Sequence, residues 1–280
     1  MISNFKKYKR LFTFGCSFTR HKWPTWAHIL SQEIDPDQLY NFARPGGGNF
    51  LIGLRVAEAN KRYQFTDTDL IGIMWTSYTR EDRYVKDQWI SCGNVFNQSV
   101  YPENFVRDFC DPTGYMIRDY GVMELTSGYL KSLPCDSFQM LGWKPDLIEN
   151  VENLDIAYDS KIFNDVKTVY KNHFDSFPMD MRSYIEKTYW STGVTDQNHF
   201  DMVGHTYMMN GKLHRDGHPK PNVFYDYLQH LKFPLTEKSY NFAKESTAML
   251  ESCKTDQEIW DKFLKTGYIK QDAEARGMIF

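Results

Sequence analysis

Apolar residues fall along the chain in two kinds of run. Arg10 to Phe14 and Asp69 to Trp75 (DLIGIMW) are short, β-prone stretches, the second an apolar run of strand length, which suits strands covered on both faces. Between them Trp23, Trp26, Ala27, Leu30 and Ile34 recur at helical spacing and predict a helix over 23–34; residues 50–63 carry the same period. Gln38 to Ala43 predicts a second strand, stopped by Pro45-Gly46-Gly47-Gly48, and Asp136 to Leu141 predicts a fourth. Strands alternating with helices argue for a parallel sheet with right-handed crossovers.

The remainder is less regular. Residues 84 to about 113 show no clear period, and 115–133 predict a helix. From 143 to about 211 helices are expected over 161–174 and 179–190, separated by Pro178, and the segment reads as an aromatic-rich insertion suited to a lid or partner surface. A core helix over 222–231 and one or two amphipathic helices over 237–265 close the pattern. The expected fold is α/β, a three-layer α/β/α sandwich with a parallel sheet. It occupies 1–235 with its insertion at about 144–211, and a helical C-terminal extension covers 236–280.

At 280 residues the chain can bury a sizeable core. Its 33 basic and 36 acidic residues are interspersed, leaving no basic face for phosphates, so nucleic acid is not an expected partner. Five cysteines without a C-x-x-C pair argue against zinc knuckles and a disulfide framework and for a reducing compartment. The N-terminus has too few apolar residues for a signal-peptide core, and nowhere are there 18 consecutive apolar residues. A cytoplasmic protein with no membrane partner is expected.

Open parallel sheets form their sites at the carboxyl ends of strands, and three candidate loops share that position: Gly15 to Thr19, Pro45 to Asn49, and Thr76 to Arg83. A fourth stretch, HRDGHPKPN from His214 to Asn222, places two histidines and an aspartate before a helix. Together they hold a hydroxyl, backbone donors, a polar orienter and a base, the parts needed for acyl transfer. Blander roles exist: Ser17 also suits a helix cap, Gly46 to Gly48 a flexible turn, and Cys16 a small buried residue. A metal set of His214, Asp216 and His218 would share one side of a strand, but Gly217 and Pro219 oppose a strand and no H-E-x-x-H pattern is present. His199 and His205 read as structural or surface groups, and neither metal nor cofactor is expected.

Gly15-Cys16-Ser17-Phe18-Thr19, Asn41 to Asn49 and Asp216-Gly217-His218-Pro219 resemble, in order and location, the first, second and last blocks of the SGNH, or GDSL-type, hydrolase family. The resemblance implies Ser17 as nucleophile, His218 as base, Asp216 as its partner and Gly46 in the oxyanion hole. Where the family's third block carries Asn, this chain has Ser77 nearest, with Thr76 and Arg80 as further donors and Asn49 facing from the second loop. One residue rather than two separates Asp216 from His218. What the resemblance implies is a serine esterase cleaving an O-acyl ester such as an O-acetyl on a carbohydrate, through an acyl-Ser17 intermediate. A carbohydrate O-acyltransferase and a non-catalytic binding or assembly protein are the alternatives on the same scaffold. The expected partner is a small-molecule or glycan ester.

Overall fold

The computed structural model describes residues 2, 4–96, 100–144, 160–190 and 202–269. In chain order its first half forms β1 (Arg10–Phe14), α1 (Trp26–Ser31), β2 (Leu39–Asn41), α2 (Asn49–Tyr63), β3 (Asp69–Trp75), β4 (Arg80–Val85), β5 (Gln88–Asn94), α3 (Glu103–Phe109), α4 (Pro112–Lys131) and β6 (Asp136–Leu141). β1, β2, β3 and β6 make one parallel sheet in the order β2-β1-β3-β6. Phe12 lies beside Tyr40 on one side and Ile71 on the other. Because the chain leaves β1 first toward β2 and then returns to β3, a crevice opens at the carboxyl ends of β1 and β3.

Side-chain alternation along the strands builds two cores. Phe12, Phe14, Ile71, Ile73 and Trp75 face α2 and α4 through Val56, Ala59, Met116, Tyr120 and Met123. Leu11, Leu70, Met74 and Met140 face the opposite layer, where Trp26, Ile29 and Leu30 of α1 meet Val223, Phe224, Tyr227 and Leu228. The sheet is covered on both faces, so the expected three-layer α/β/α architecture is the one present. Gly72 permits one tight contact: a Cβ there would lie 2.5 Å from the Phe138 ring and 3.0 Å from Trp26.

The expected helix over 23–34 is shorter. Pro24 has no N–H, Trp23 gives its indole N–H to the Pro219 carbonyl at 2.9 Å, and Thr25 is the N-cap, its backbone N–H donating to His28 Nδ1 at 3.1 Å. The second strand also shrinks, since Pro36–Gln38 forms a 3₁₀ turn before β2. Residues 84–113 are not irregular: β4 and β5 form an antiparallel hairpin through Lys86 and Asp87, both at positive φ (49° and 62°), and α3 follows. This hairpin escaped the apolar pattern because Arg80, Glu81 and Asp82 are buried charges, and burial of charged residues leaves no apolar period.

The described parts of the insertion belong to the body. α5 (Ser160–Asp175) packs on α4, with Phe174 and Tyr120 ring centroids 4.2 Å apart. α6 (Met181–Ile185) buries Met181, Tyr184 and Ile185 in the second core. A second hairpin, β7 (His205–Met209) and β8 (Lys212–Asp216), turns at Asn210-Gly211, a hairpin dipeptide that the helical and apolar patterns overlooked. α7 (Pro221–His230), α8 (Glu237–Glu251) and α9 (Asp256–Ile259) follow, and the last runs on into a π-helical segment, Trp260–Lys265. Ala243 of α8 sits in the second core. His199 and the insertion's residues 145–159 and 191–201 lie outside the described residues.

Gly15 follows β1 where a Cβ would stand 2.1 Å from Thr19 Oγ1 and 2.9 Å from the Met74 carbonyl. Gly15→Ala is therefore expected to lower stability by about 1–3 kcal/mol through overpacking. Urea denaturation checks it: a midpoint equal to that of the wild type would mean the turn relaxes without strain.

Candidate active site

Four chain segments meet at the carboxyl end of the sheet. After β1 the chain turns at Cys16 to Arg20, with the Thr19 and Arg20 N–H groups both donating to the Cys16 carbonyl. Non-reacting groups pin this turn. The Thr19 carbonyl accepts from Thr25 Oγ1 at 2.6 Å and from Asn41 Nδ2 at 2.9 Å, and Thr19 Oγ1 accepts from the Trp26 indole at 3.1 Å. Asn41 thus ties the second loop to the first. Cys16 is fully buried, as expected for a small residue behind the turn.

Ser17 is half-buried and caps no helix, since α1 starts nine residues later with Thr25 as its cap. Its hydroxyl makes no hydrogen bond to His218 or to any other group among the described residues. Its neighbour Phe18 sets a ring edge against His218 at 5.8 Å between centroids. The backbone N–H groups of Ser17 and Gly46 likewise have no acceptor among the described residues.

Asp216 ends β8 and is buried. His218 Nδ1 donates to its Oδ1 at 2.5 Å and the His218 backbone N–H to the same oxygen at 3.1 Å. That bond fixes the tautomer, because an ionised carboxylate only accepts. Nε2 of His218 is left without a partner among the described residues, on a side chain 29% exposed. Two further donors reach Oδ2: Tyr207 OH at 3.2 Å and His21 Nε2 at 3.3 Å. Burial alone would raise the Asp216 carboxyl, but the hydrogen bonds from His21 and His218 outweigh it and hold it well below the usual carboxylate range.

His21, Tyr207 and Lys22 are the site residues that the sequence did not reveal. His21 lies 195 positions from Asp216, and nothing near it in the sequence announces a partner. Its ring stacks on His218 at 4.0 Å and 19°. Burial first, and the charge of His218 second, press its pKa down to about 4. Lys22 donates to Tyr207 OH and to Asp256, each at 2.6 Å.

The histidines and Asp216 cluster closely enough to suggest a metal, but the hydrogen bonds among them oppose one. The ring nitrogens that face Asp216, His218 Nδ1 and His21 Nε2, are already donating to its two oxygens at 2.5 and 3.3 Å, and a protonated nitrogen cannot ligate. His214 does share a strand with Asp216, contrary to expectation, at 3.9 Å. His205 is buried against the Cys253 carbonyl, a structural role.

The second and third loops hold each other. Asn49 is buried, its amide accepting from the Thr76 N–H at 2.8 Å and donating to the Thr76 carbonyl at 2.9 Å and to Asp119 at 3.1 Å. It fixes the loop after β3. Ser77 Oγ pairs with Thr79 Oγ1 at 2.8 Å, and Thr76 Oγ1 is buried without a partner. Gly46, at φ 76°, accepts at its carbonyl from Gly93 of β5. Arg80 reaches the Gly47 carbonyl at 3.2 Å and lies over the Trp143 ring.

The site is thus an Asp–His pair with an open Nε2, set at the end of a parallel sheet beside a serine-bearing turn. No protein-family model matches the sequence, and no curated protein matches it either. Among solved structures, the chain is similar to the YxiM protein of Bacillus subtilis (12% identity, TM-score 0.43), the similarity covering 82% of this chain and 59% of that one. It is also similar to a member of the lipolytic protein G-D-S-L family from Veillonella parvula (14%, TM-score 0.41, 80% and 98% covered). A third is the psychrotrophic esterase EstA from Pseudoalteromonas, in a form inhibited by monoethylphosphonate (11%, TM-score 0.38, 80% and 97% covered). The chain spans about three-fifths of the length of the first of these. At TM-scores below 0.5 none of these likenesses bears on chemistry.

His28, like His21, is held neutral by burial down to about 4. An unfolded chain protonates both imidazoles near pH ~6.5, so between ~6.5 and ~4 the unfolded state binds more protons and stability falls as the pH drops. Asp216 acts lower, its contribution intact above its unfolded pKa of about 3.9 and lost below it. His28→Gln should flatten the upper window by up to about 1.4 kcal/mol per pH unit. Urea titrations across the window check this, and a wild-type stability constant throughout it would contradict the neutral, buried imidazoles.

Proposed function

We propose that this chain is a serine ester hydrolase in which Ser17 is the nucleophile, His218 the general base and Asp216 the group that orients and stabilises the imidazole. The carrying observation is the His218 ring. Its Nδ1 is committed to Asp216 at 2.5 Å while Nε2 stands open beside the Ser17 turn. That is the protonation pattern a serine needs, since a hydroxyl attacks at neutral pH only when a base takes its proton. Catalytic hydrogen bonds of this kind are commonly long or poorly aligned before substrate binding and tighten only with it.

In the acylation step Ser17 Oγ bonds to the ester carbonyl carbon and its proton passes to His218 Nε2. The N–H groups of Ser17 and Gly46 face the oxygen as it becomes negative, with Ser77 or Thr76 as the third donor. Collapse breaks the bond to the alcohol oxygen, which leaves with the proton from His218. Water, deprotonated by the same Nε2, then releases the acid and restores Ser17. Each oxyanion donor is worth about 2.7–4 kcal/mol in the transition state. The O-acyl group of a small molecule or glycan is the substrate class.

Ser17→Ala and His218→Ala should each abolish most hydrolysis of p-nitrophenyl acetate, and the double variant should be little worse, because the two act as one unit. Asp216→Ala should be milder in rate, and Cys16→Ser within a few-fold of wild type. A fluorophosphonate probe read by mass spectrometry should mark Ser17 alone. Labelling at Cys16, or none at all in a folded protein, refutes the assignment.

A further inference from the structure

Among the described residues, Glu81, Arg83, Arg118 and Asp119 around β4 form ion pairs with one another, whereas Asp82 and Arg80 form none. Glu81 accepts from Tyr115 OH at 2.5 Å, Arg83 at 2.7 Å and Arg118 at 3.0 Å. Asp119 holds Arg118 at 2.6 Å, and Asp82 accepts from Ser91 Oγ at 2.5 Å and the Gly48 N–H at 2.8 Å. Arg80, only 8% exposed, forms no ion pair among the described residues. One of its terminal nitrogens donates to the Gly47 carbonyl. Its Nε is buried without an acceptor, and the other terminal nitrogen has no partner either. Asp82, its neighbour two residues on, balances its charge electrostatically, but among the described residues no carboxylate hydrogen-bonds to it, and a buried guanidinium with unmade hydrogen bonds is costly to keep. The Nε edge, buried and without an acceptor, is the one that a carboxylate grips with two parallel hydrogen bonds.

The position of this edge ties it to the candidate active site. The guanidinium lies over Trp143 at 5.1 Å, Trp143 stacks on Phe18 at 4.4 Å, and Phe18 is the residue after Ser17 with its edge on His218. The carbonyl that Arg80 touches belongs to Gly47, next to Gly46. We propose that Arg80 binds a free carboxylate on the acyl part of the substrate, so that the esters cleaved are half-esters of dicarboxylic acids. This rests on the hydrolase reading. Ser17 would take the esterified carboxyl while Arg80 holds the free one, and the products would be the alcohol and the diacid.

The test pairs the monoethyl esters of succinate, glutarate and adipate with ethyl butyrate, pentanoate and hexanoate, followed by proton release. Wild type should favour at least one half-ester over its neutral partner in kcat/KM by about 10- to 100-fold. In Arg80→Gln that ratio should collapse toward one, whatever the absolute rate, and Arg80→Lys, which keeps the charge without the fork, should retain only part of it. Equal kcat/KM for charged and neutral esters in the wild type, or an unchanged ratio in Arg80→Gln, overturns the proposal. A binding arm needs no turnover: glutarate, against sodium chloride at equal ionic strength, should raise the Tm of wild type and Ser17→Ala but not of folded Arg80→Gln. Arg80-dependent glutarate binding in a chain that cleaves no ester would refute the hydrolase and uphold the carboxylate site. Active enzyme without that binding would do the reverse.

Discussion

The Asp216 carboxylate is the constraint on which the rest of the site depends. It is buried, and four donors from three parts of the chain converge on it: the ring and backbone of His218, His21 from the turn after β1, and Tyr207 from β7. A buried carboxylate is tolerable only when its lone pairs are taken. Its need for donors therefore draws the C-terminal hairpin, the Asp216–His218 turn and the N-terminal turn together. The same demand leaves His218 one useful orientation, with Nδ1 inward and Nε2 outward.

The serine turn depends on a different device. Nothing reactive holds Ser17; the neighbouring Thr19 carbonyl is gripped by Asn41 and Thr25, and the glycine before it leaves no room for a side chain. Rigidity comes from the backbone and from groups that take no part in the proposed chemistry. The Ser17 hydroxyl and N–H are thereby left for a ligand. On the far wall the Glu81, Arg118 and Asp119 chain fastens β4 to α4, and Asn49 spans from Asp119 to both backbone groups of Thr76. The loops after β2 and β3 are consequently set by one continuous polar network.

Where burial is apolar, the sequence announces the structure. β1, β3 and β6 have the expected bounds, and α2 and α4 fall within a few residues of expectation. Gly15, Ser17, Gly46, Asp216 and His218 are identifiable from their order along the chain and their place after predicted strands or before a helix, since Gly, Ser and Asp are by themselves ordinary turn residues. β4 was missed because its buried residues are charged, and burial of charged residues leaves no apolar period. His21 and Tyr207 were missed for a related reason: a hydrogen bond to a carboxylate 195 or nine residues away leaves no mark on local composition. Arg80 was visible as a donor candidate, but its lack of a hydrogen-bonded acid partner becomes evident only once Glu81, Asp82 and Asp119 are seen to be occupied.

Charge balance explains why a second imidazole can sit against the proposed base without disabling it. One carboxylate, Asp216, faces two rings stacked 4.0 Å apart, and it can offset one positive charge but not two. His21 is the ring that stays neutral, because burial and the neighbouring His218 both oppose its protonation. Its Nε2–H still donates to Asp216, so it helps fix the carboxylate while adding no charge. Lys22, the next cation along, is directed away: its ammonium is neutralised by Asp256 and meets the Asp216 group only through the Tyr207 hydroxyl. In the proposed reaction, the imidazolium formed when His218 takes the serine proton thus faces one carboxylate and one neutral ring. The proton has a stable resting place for as long as the oxyanion exists.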